Sequence, residues 1–169
     1  TLNINIDGEH FSASDYMHSC PSIDSIGFKR YRRDTNRIAI LIYAQEPEEE
    51  INHYAWKAYR NDTLVTDTLR EMYFSDDILF NGSYINGIDV QHIKARQNDI
   101  ITLEMLSITK SYYEFMIKVM LETDWDGGPF DGPPANFYGN ISNDALGFFA
   151  VYSVEQKTAI VLESIEVEE

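Results

Sequence analysis

NDIITLEMLSITKSYYEFMIKVMLET, residues 98–123, is the stretch that decides the fold. Asn98-Asp99 is turn chemistry, because both side chains tolerate a left-handed backbone and bond locally. Ile100 to Leu106 then alternates, with Ile101, Leu103 and Met105 on one face, as a half-buried strand requires. Past Ser107 the period changes. Ile108, Tyr112, Phe115 and Val119 recur at four, three and four, and Tyr113, Met116, Ile117 and Met120 widen the stripe. The spacing predicts one helix over about residues 109–123. Ser107 or Thr109 can cap it, and Ser111 with Glu114 offers a capping box one turn further in.

Working outward from this switch, the rest of the chain reads as strands. Ile38 to Ala44 is a continuous apolar run of strand length, suited to burial on both faces. Glu46-Pro-Glu-Glu-Glu is a solvated turn, and Ile51 to Arg60 (INHYAWKAYR) is an aromatic strand. Asn61-Asp62 turns into a threonine-rich polar strand, TLVTDTLREMYF at 63–74. Asn81-Gly82 and Asn86-Gly87 bracket a short strand. Downstream, Gly147–Val154 and Thr158–Leu162 read as two final strands. The expectation is a mainly β protein, a β-sandwich or partly open barrel with one α-helix (109–123) and a long ordered loop (124–146).

At the start, Thr1-Leu-Asn-Ile-Asn-Ile alternates, Asp7-Gly8 supplies a hairpin turn, and Glu9 to Ala13 returns. A lone hairpin is marginal in water, so the expectation is that this domain begins earlier and the chain is a fragment or a processed product. Cys20 to Phe28 reads as a strand leaving that unit, and Lys29 to Arg37 as a charged connector. The expected division is a remnant of a β domain at 1–30, the helix-bearing sandwich at 31–163, and an acidic tail at 164–169 (ESIEVEE beginning at Glu163).

Residues 124–149, DWDGGPFDGPPANFYGNISNDALGFF, hold five of the nine glycines and three of the five prolines. Loops of this length serve function or are disordered, and disordered segments avoid aromatics. Trp125, Phe130, Phe137, Tyr138, Phe148 and Phe149 therefore argue for an ordered, self-packed loop. Trp125, Phe130, Asn136 and Tyr138 are candidate ligand contacts. Asp124, Asp126 and Asp131 are candidate calcium ligands, since hard cations take several oxygens from flexible loops. They could also supply the carboxyl pair of a glycosidase, with Trp125 as a stacking platform. Asp-Gly turns account for the same residues with no ligand. The loop lacks a glutamate at the twelfth position that the helix–loop–helix calcium motif requires.

With 28 acidic and 13 basic residues, the net charge of −15 argues against nucleic acid and against anionic membrane faces. His10, His18, His53 and His92 form no zinc spacing, no strained serine elbow occurs, and a lone cysteine, Cys20, excludes an internal disulfide. Cys20 is expected to be an inert, packed thiol.

Several motifs together resemble a known family. They are Asn52-x-Tyr54, Asp77-Ile-Leu-Phe-Asn-Gly82, Gln97-Asn-Asp99-Ile-Ile-Thr-Leu, Ser107-Ile-Thr-Lys-Ser-Tyr-Tyr113, Gly132-Pro-Pro-Ala-Asn136, Gly139-Asn-Ile-Ser-Asn143 and Ala145-Leu-Gly-Phe-Phe149. Residues 38–161 resemble the C-terminal half of a Bacteroidota outer-membrane lipoprotein family, domain of unknown function four-two-four-nine. The opening hairpin and Ser22-Ile-Asp-Ser-Ile26 resemble the terminal strands of its immunoglobulin- or transthyretin-like N-terminal domain. The resemblance implies a non-enzymatic surface lipoprotein, accessory to a TonB-dependent transporter or capturing its small-molecule, peptide or glycan ligand. Any membrane association is expected through a lipid anchor outside this chain. A structural or adhesion module is the alternative, and a carbohydrate-active enzyme is less favoured. No cofactor is expected beyond calcium.

Overall fold

The computed structural model describes residues 1–31, 34–48, 50–123, 138–163 and 166–168. Among them lie β1 (Leu2–Ile6), β2 (Glu9–Ala13), β3 (Ile23–Tyr31), β4 (Asp34–Gln45), β5 (His53–Arg60) and β6 (Thr63–Leu64). Then follow β7 (Tyr73–Asp76), β8 (Tyr84–Lys94), β9 (Ile100–Ile108), α1 (Lys110–Thr123), β10 (Ser153–Ile160) and β11 (Glu166–Glu168). Among the described residues the protein is mainly β with one helix, a sandwich rather than a closed barrel.

One sheet runs β10-β9-β5. The far edge of β5 is shared, with β7 beside His53–Trp56 and β6 beside Tyr59–Arg60. The facing sheet runs β11-β3-β4-β8. Strand alternation sends Tyr54, Trp56 and Ala58 of β5, and Ile101, Leu103 and Met105 of β9, to one side. There they pack on Ile23, Ile38, Ile40, Ile42, Ile85, Val90 and Ile93 to form the main core. Trp56, Ile38, Ile40, Leu103 and Met105 are almost wholly excluded from solvent. The opposite side of the first sheet presents Ala55, Phe74, Leu106 and Ile108, and α1 covers them with Tyr112, Tyr113, Met116, Ile117 and Met120. The helix thus starts one residue from its predicted position, and its apolar stripe is the one the sequence spacing defines. Thr109 is the cap: its carbonyl accepts the Tyr113 N–H at 2.9 Å, and its hydroxyl lies 3.4 Å from the Tyr112 N–H.

The first hairpin forms a two-stranded sheet of its own, turned at Asp7 and Gly8 with φ of 51° and 87°. It is fastened to the segment before β10. Asn143 donates to the His10 carbonyl at 2.8 Å, Ser142 exchanges bonds with Ser12, and Asn140 donates to the Ser14 carbonyl at 3.0 Å. Asp15 joins both, accepting from the Thr109 hydroxyl and from the Val151 N–H, each at 3.0 Å. Within the long loop, the Asn140 side chain bonds the Phe149 N–H and carbonyl, both at 2.8 Å, in the manner of a strand pair. Gly139 passes so close to Gly147 that a Cβ there would collide with the Gly147 carbonyl. Residues 138–151 are ordered by these contacts; the portion of the predicted loop at 124–137 lies outside the described residues.

Five sequence expectations are corrected. Lys29–Tyr31 and Asp34–Arg37 are not a connector, because they extend β3 and β4 as one antiparallel pair. That pair runs across the expected boundary at residues 30 and 31, and Ile23 of the expected remnant lies in the main core. The acidic end is not wholly tail: β11 pairs in parallel with β3, Glu166 opposite Lys29 and Val167 opposite Arg30, giving the β3 edge a backbone partner. The threonine-rich run is strand only at its ends. Thr66 leaves the ladder to accept the Ala58 N–H at 3.0 Å, and Thr68 to Met72 form a turn closed by Glu71. Asn86-Gly87 is a bulge inside β8, where Ile42 pairs with Ile88 but Tyr43 with Asn86, leaving Gly87 (φ 79°) as the extra residue. Finally, one strand, β10, replaces the two expected after Gly147, and 147–152 reaches it as irregular chain held by Asn140 and Asp15.

Candidate functional site

The shared edge of β5 leaves a gap. Where β5, β7 and the start of α1 meet, two cavities open side by side. The first, about 420 Å³, is lined by His18, Glu50, Ile51, His53, Ile78 and Glu114, among others. The second, about 330 Å³, reaches between the sheets to Tyr54, Trp56 and Phe80 and is bordered by Phe74 of the helix-facing side. Both are bordered by Asp76 and Tyr113, so they form one cleft.

Strand geometry places each group. On β5, His53 turns toward the helix and meets Tyr113 with ring centroids 5.0 Å apart, whereas Tyr54 and Trp56 turn into the sandwich. Trp56 Nε1–H donates to the Ser75 hydroxyl at 2.9 Å, fixing the indole in the cavity wall. Asp76 ends β7, and its carboxylate accepts the Ile78 N–H at 3.2 Å, which turns the chain outward. Ile78 and Leu79 are consequently exposed at the rim, Leu79 at 85%.

Beneath the rim lies a buried polar network. Asp77 is 2% exposed and accepts two bonds from Asn52, from its backbone N–H at 2.9 Å and its side-chain amide at 3.0 Å. Glu46, 3% exposed, accepts the Tyr54 hydroxyl at 2.7 Å. Burial raises the Glu46 carboxyl above its ordinary value; the Tyr54 bond opposes this and the neighbouring Asp77 carboxylate adds to it. Glu46 is thereby biased toward the protonated form that donates to Asp77. Burial, then the Glu46 contact, pushes the Tyr54 hydroxyl far up. His53 is shifted down by burial, which Asp76 partly offsets, so burial favours its neutral imidazole. Lys110 lies 3.8 Å from Glu114 and His18 lies 3.5 Å from Glu50 across the outer cavity.

Of the sequence-predicted site residues, Tyr138 is 78% exposed and does not line the cleft. Trp125, Phe130, Asn136, Asp124, Asp126 and Asp131 lie outside the described residues. Among the described residues, no group of three His, Cys, Asp or Glu side chains is arranged to hold a metal. Cys20 donates to the Met105 carbonyl at 3.3 Å, and burial pushes its thiol up to about 11, which disfavours the thiolate. Sequence reasoning missed the cleft. Its available signal was Asp76-Asp77 placed directly after the aromatic strand Tyr73-Phe74, together with Asn52-x-Tyr54.

Among the described residues, the fold is a mainly β domain, a two-sheet sandwich with one helix laid across an outer face. The chain belongs to the family described as Domain of unknown function (DUF4249), whose profile matches residues 1–158. No curated protein and no solved structure matches it. Among the described residues, no helix is long and apolar enough to cross a membrane.

Proposed function

We propose that this protein is a non-enzymatic binding module. It captures a ligand in the cleft between β5, β7 and α1, as the accessory component of a TonB-dependent outer-membrane transporter to which a lipid anchor brings it. The observation that carries this reading is the pair of joined cavities. Ligand sites are concave, mostly apolar and of about 300–1,000 Å³, with a few convergent polar groups. Binding rather than turnover is favoured because the deepest carboxyls are committed to the fold, Asp77 to Asn52 and Glu46 to Tyr54. The transporter and the anchor rest on the family resemblance alone.

Affinity isolation from native membranes tests the partnership. A transporter retained through detergent extraction is the expected result, and recovery only as a free monomer counts heavily against it. A second reading, a structural or adhesion module, draws on apolar side chains exposed away from the cleft, such as Tyr16, Met17 and Leu146. Tyr73→Ala in the cleft separates the two: unchanged ligand uptake by the folded variant favours the structural role.

A further inference from the structure

The inner cavity has an unusual lining for its chemistry. Four carboxyl side chains border it, Glu46, Asp76, Asp77 and Asp89, and six aromatic rings, those of Tyr54, Trp56, Tyr73, Phe74, Phe80 and Tyr113. Among the described residues that line it there is no lysine, arginine or histidine. The carboxyls are graded by depth. Glu46 and Asp77 are buried and bonded to Tyr54 and Asn52, whereas Asp76 and Asp89 are only partly buried. Asp89 also lies 3.4 Å from His92. Tyr73, 46% exposed, also lines this cavity, and Trp56 and Phe80 form apolar wall deeper in.

We propose that this cavity takes an organic cation, an ammonium group carried on an apolar body. The charge is held at the acidic mouth by Asp76 and Asp89, with Tyr73 also lining the cavity, and the body enters toward Trp56 and Phe80. This rests on the reading of the cleft as a capture site and names its ligand class. Carboxylates attract the charge, aromatic faces favour cations over neutral groups of the same shape, and an anion in the inner cavity would meet four carboxyls, the cleft's basic side chains His18, His53 and Lys110 lining the outer cavity instead. The whole chain, at −15, draws cations to the mouth.

Calorimetry with three probes of matched shape tests the idea: phenethylammonium, phenethyl alcohol and 3-phenylpropionate. The cation is expected to bind about tenfold more tightly than the alcohol, with the anion weakest and the preference shrinking as salt is raised. Asp76→Asn keeps the oxygen that accepts the Ile78 N–H, and it should erase most of the preference for the cation over the alcohol. Near-UV circular dichroism checks the variant's fold, and the salt series on the unaltered protein stands without it. Equal or tighter binding of the alcohol or the anion overturns the cation assignment and leaves ligand capture intact. If none of the three binds, both the assignment and capture of such ligands in this cleft fall.

Discussion

Asn52 grips Asp77 with two donors, its own backbone N–H at 2.9 Å and its side-chain amide at 3.0 Å, in a place where the aspartate is 2% exposed. The pair joins the start of β5 to the end of β7 and so sets the floor of the cleft. A buried carboxylate deprived of a donor retains its desolvation cost. Asn52→Ala should therefore destabilise the protein by about 1.5–3 kcal/mol, the range for a bond to a charged group. Urea unfolding followed by circular dichroism reads the loss. A change within a few tenths of a kcal/mol would mean that water replaces the amide and the floor is not built on this contact.

Glu46 gives the fold a pH dependence of known sign. Its folded-state carboxyl is raised above its ordinary value of 4.5, with burial as the main cause. Stability from such a group is complete below the unfolded value and declines as pH rises through the folded one. Ionising Glu46 sets a second negative charge beside Asp77 in a buried site. Glu46→Gln imitates the protonated acid, still accepting from Tyr54 and able to donate to Asp77. The Tm difference between the variant and the unaltered protein should grow as pH is raised above 4.5. A constant difference across that range would show that Glu46 does not carry the effect.

Much of the fold was legible because periodicity is a local property. The alternation of Ile101, Leu103 and Met105 and the helical spacing from Tyr112 to Met120 each name their own buried face, and both faces form as read. Turn signals were less decisive, since positive φ serves more than one purpose. Asn61 and Asp62 turn the chain, with φ of 49° and 63°, whereas Gly87 uses the same freedom to seat a bulge. The cleft was hidden for a different reason. Its walls come from β5, β7, β8 and α1, brought together by the divided edge of β5, and that division follows from Thr66 leaving the ladder to cap Ala58. The loop at 124–149 drew the search for a site through composition, but its described half spends its polar groups on docking the first hairpin.

That docking has its own test. Asn140 supplies both halves of a strand-like pair with Phe149 and a third bond to Ser14. Asn140→Ala removes all three at a half-buried position, for an expected loss of about 1–3 kcal/mol. Because the contacts are local, hydrogen exchange should quicken first at the Phe149 amide and next at those of Ser12 and Ser142, before any change in β5 or β9. Uniform acceleration across the whole sandwich would instead place Asn140 in the global folding unit.

Gly87 offers the sharpest separation of backbone from side-chain effects. Its φ of 79° is costly for an L side chain, and an added Cβ would lie 3.1 Å from the Tyr43 hydroxyl. Gly87→Ala should therefore cost about 1–3 kcal/mol through backbone strain together with crowding. Tyr43→Phe removes the crowding oxygen and leaves the backbone term. If crowding matters, the double variant should recover part of the loss measured for Gly87→Ala in the tyrosine background, a coupling that a double-mutant cycle reads directly. No recovery would assign the whole penalty to the left-handed backbone of the bulge that lets β8 stay in register with β4 on both sides of Gly87.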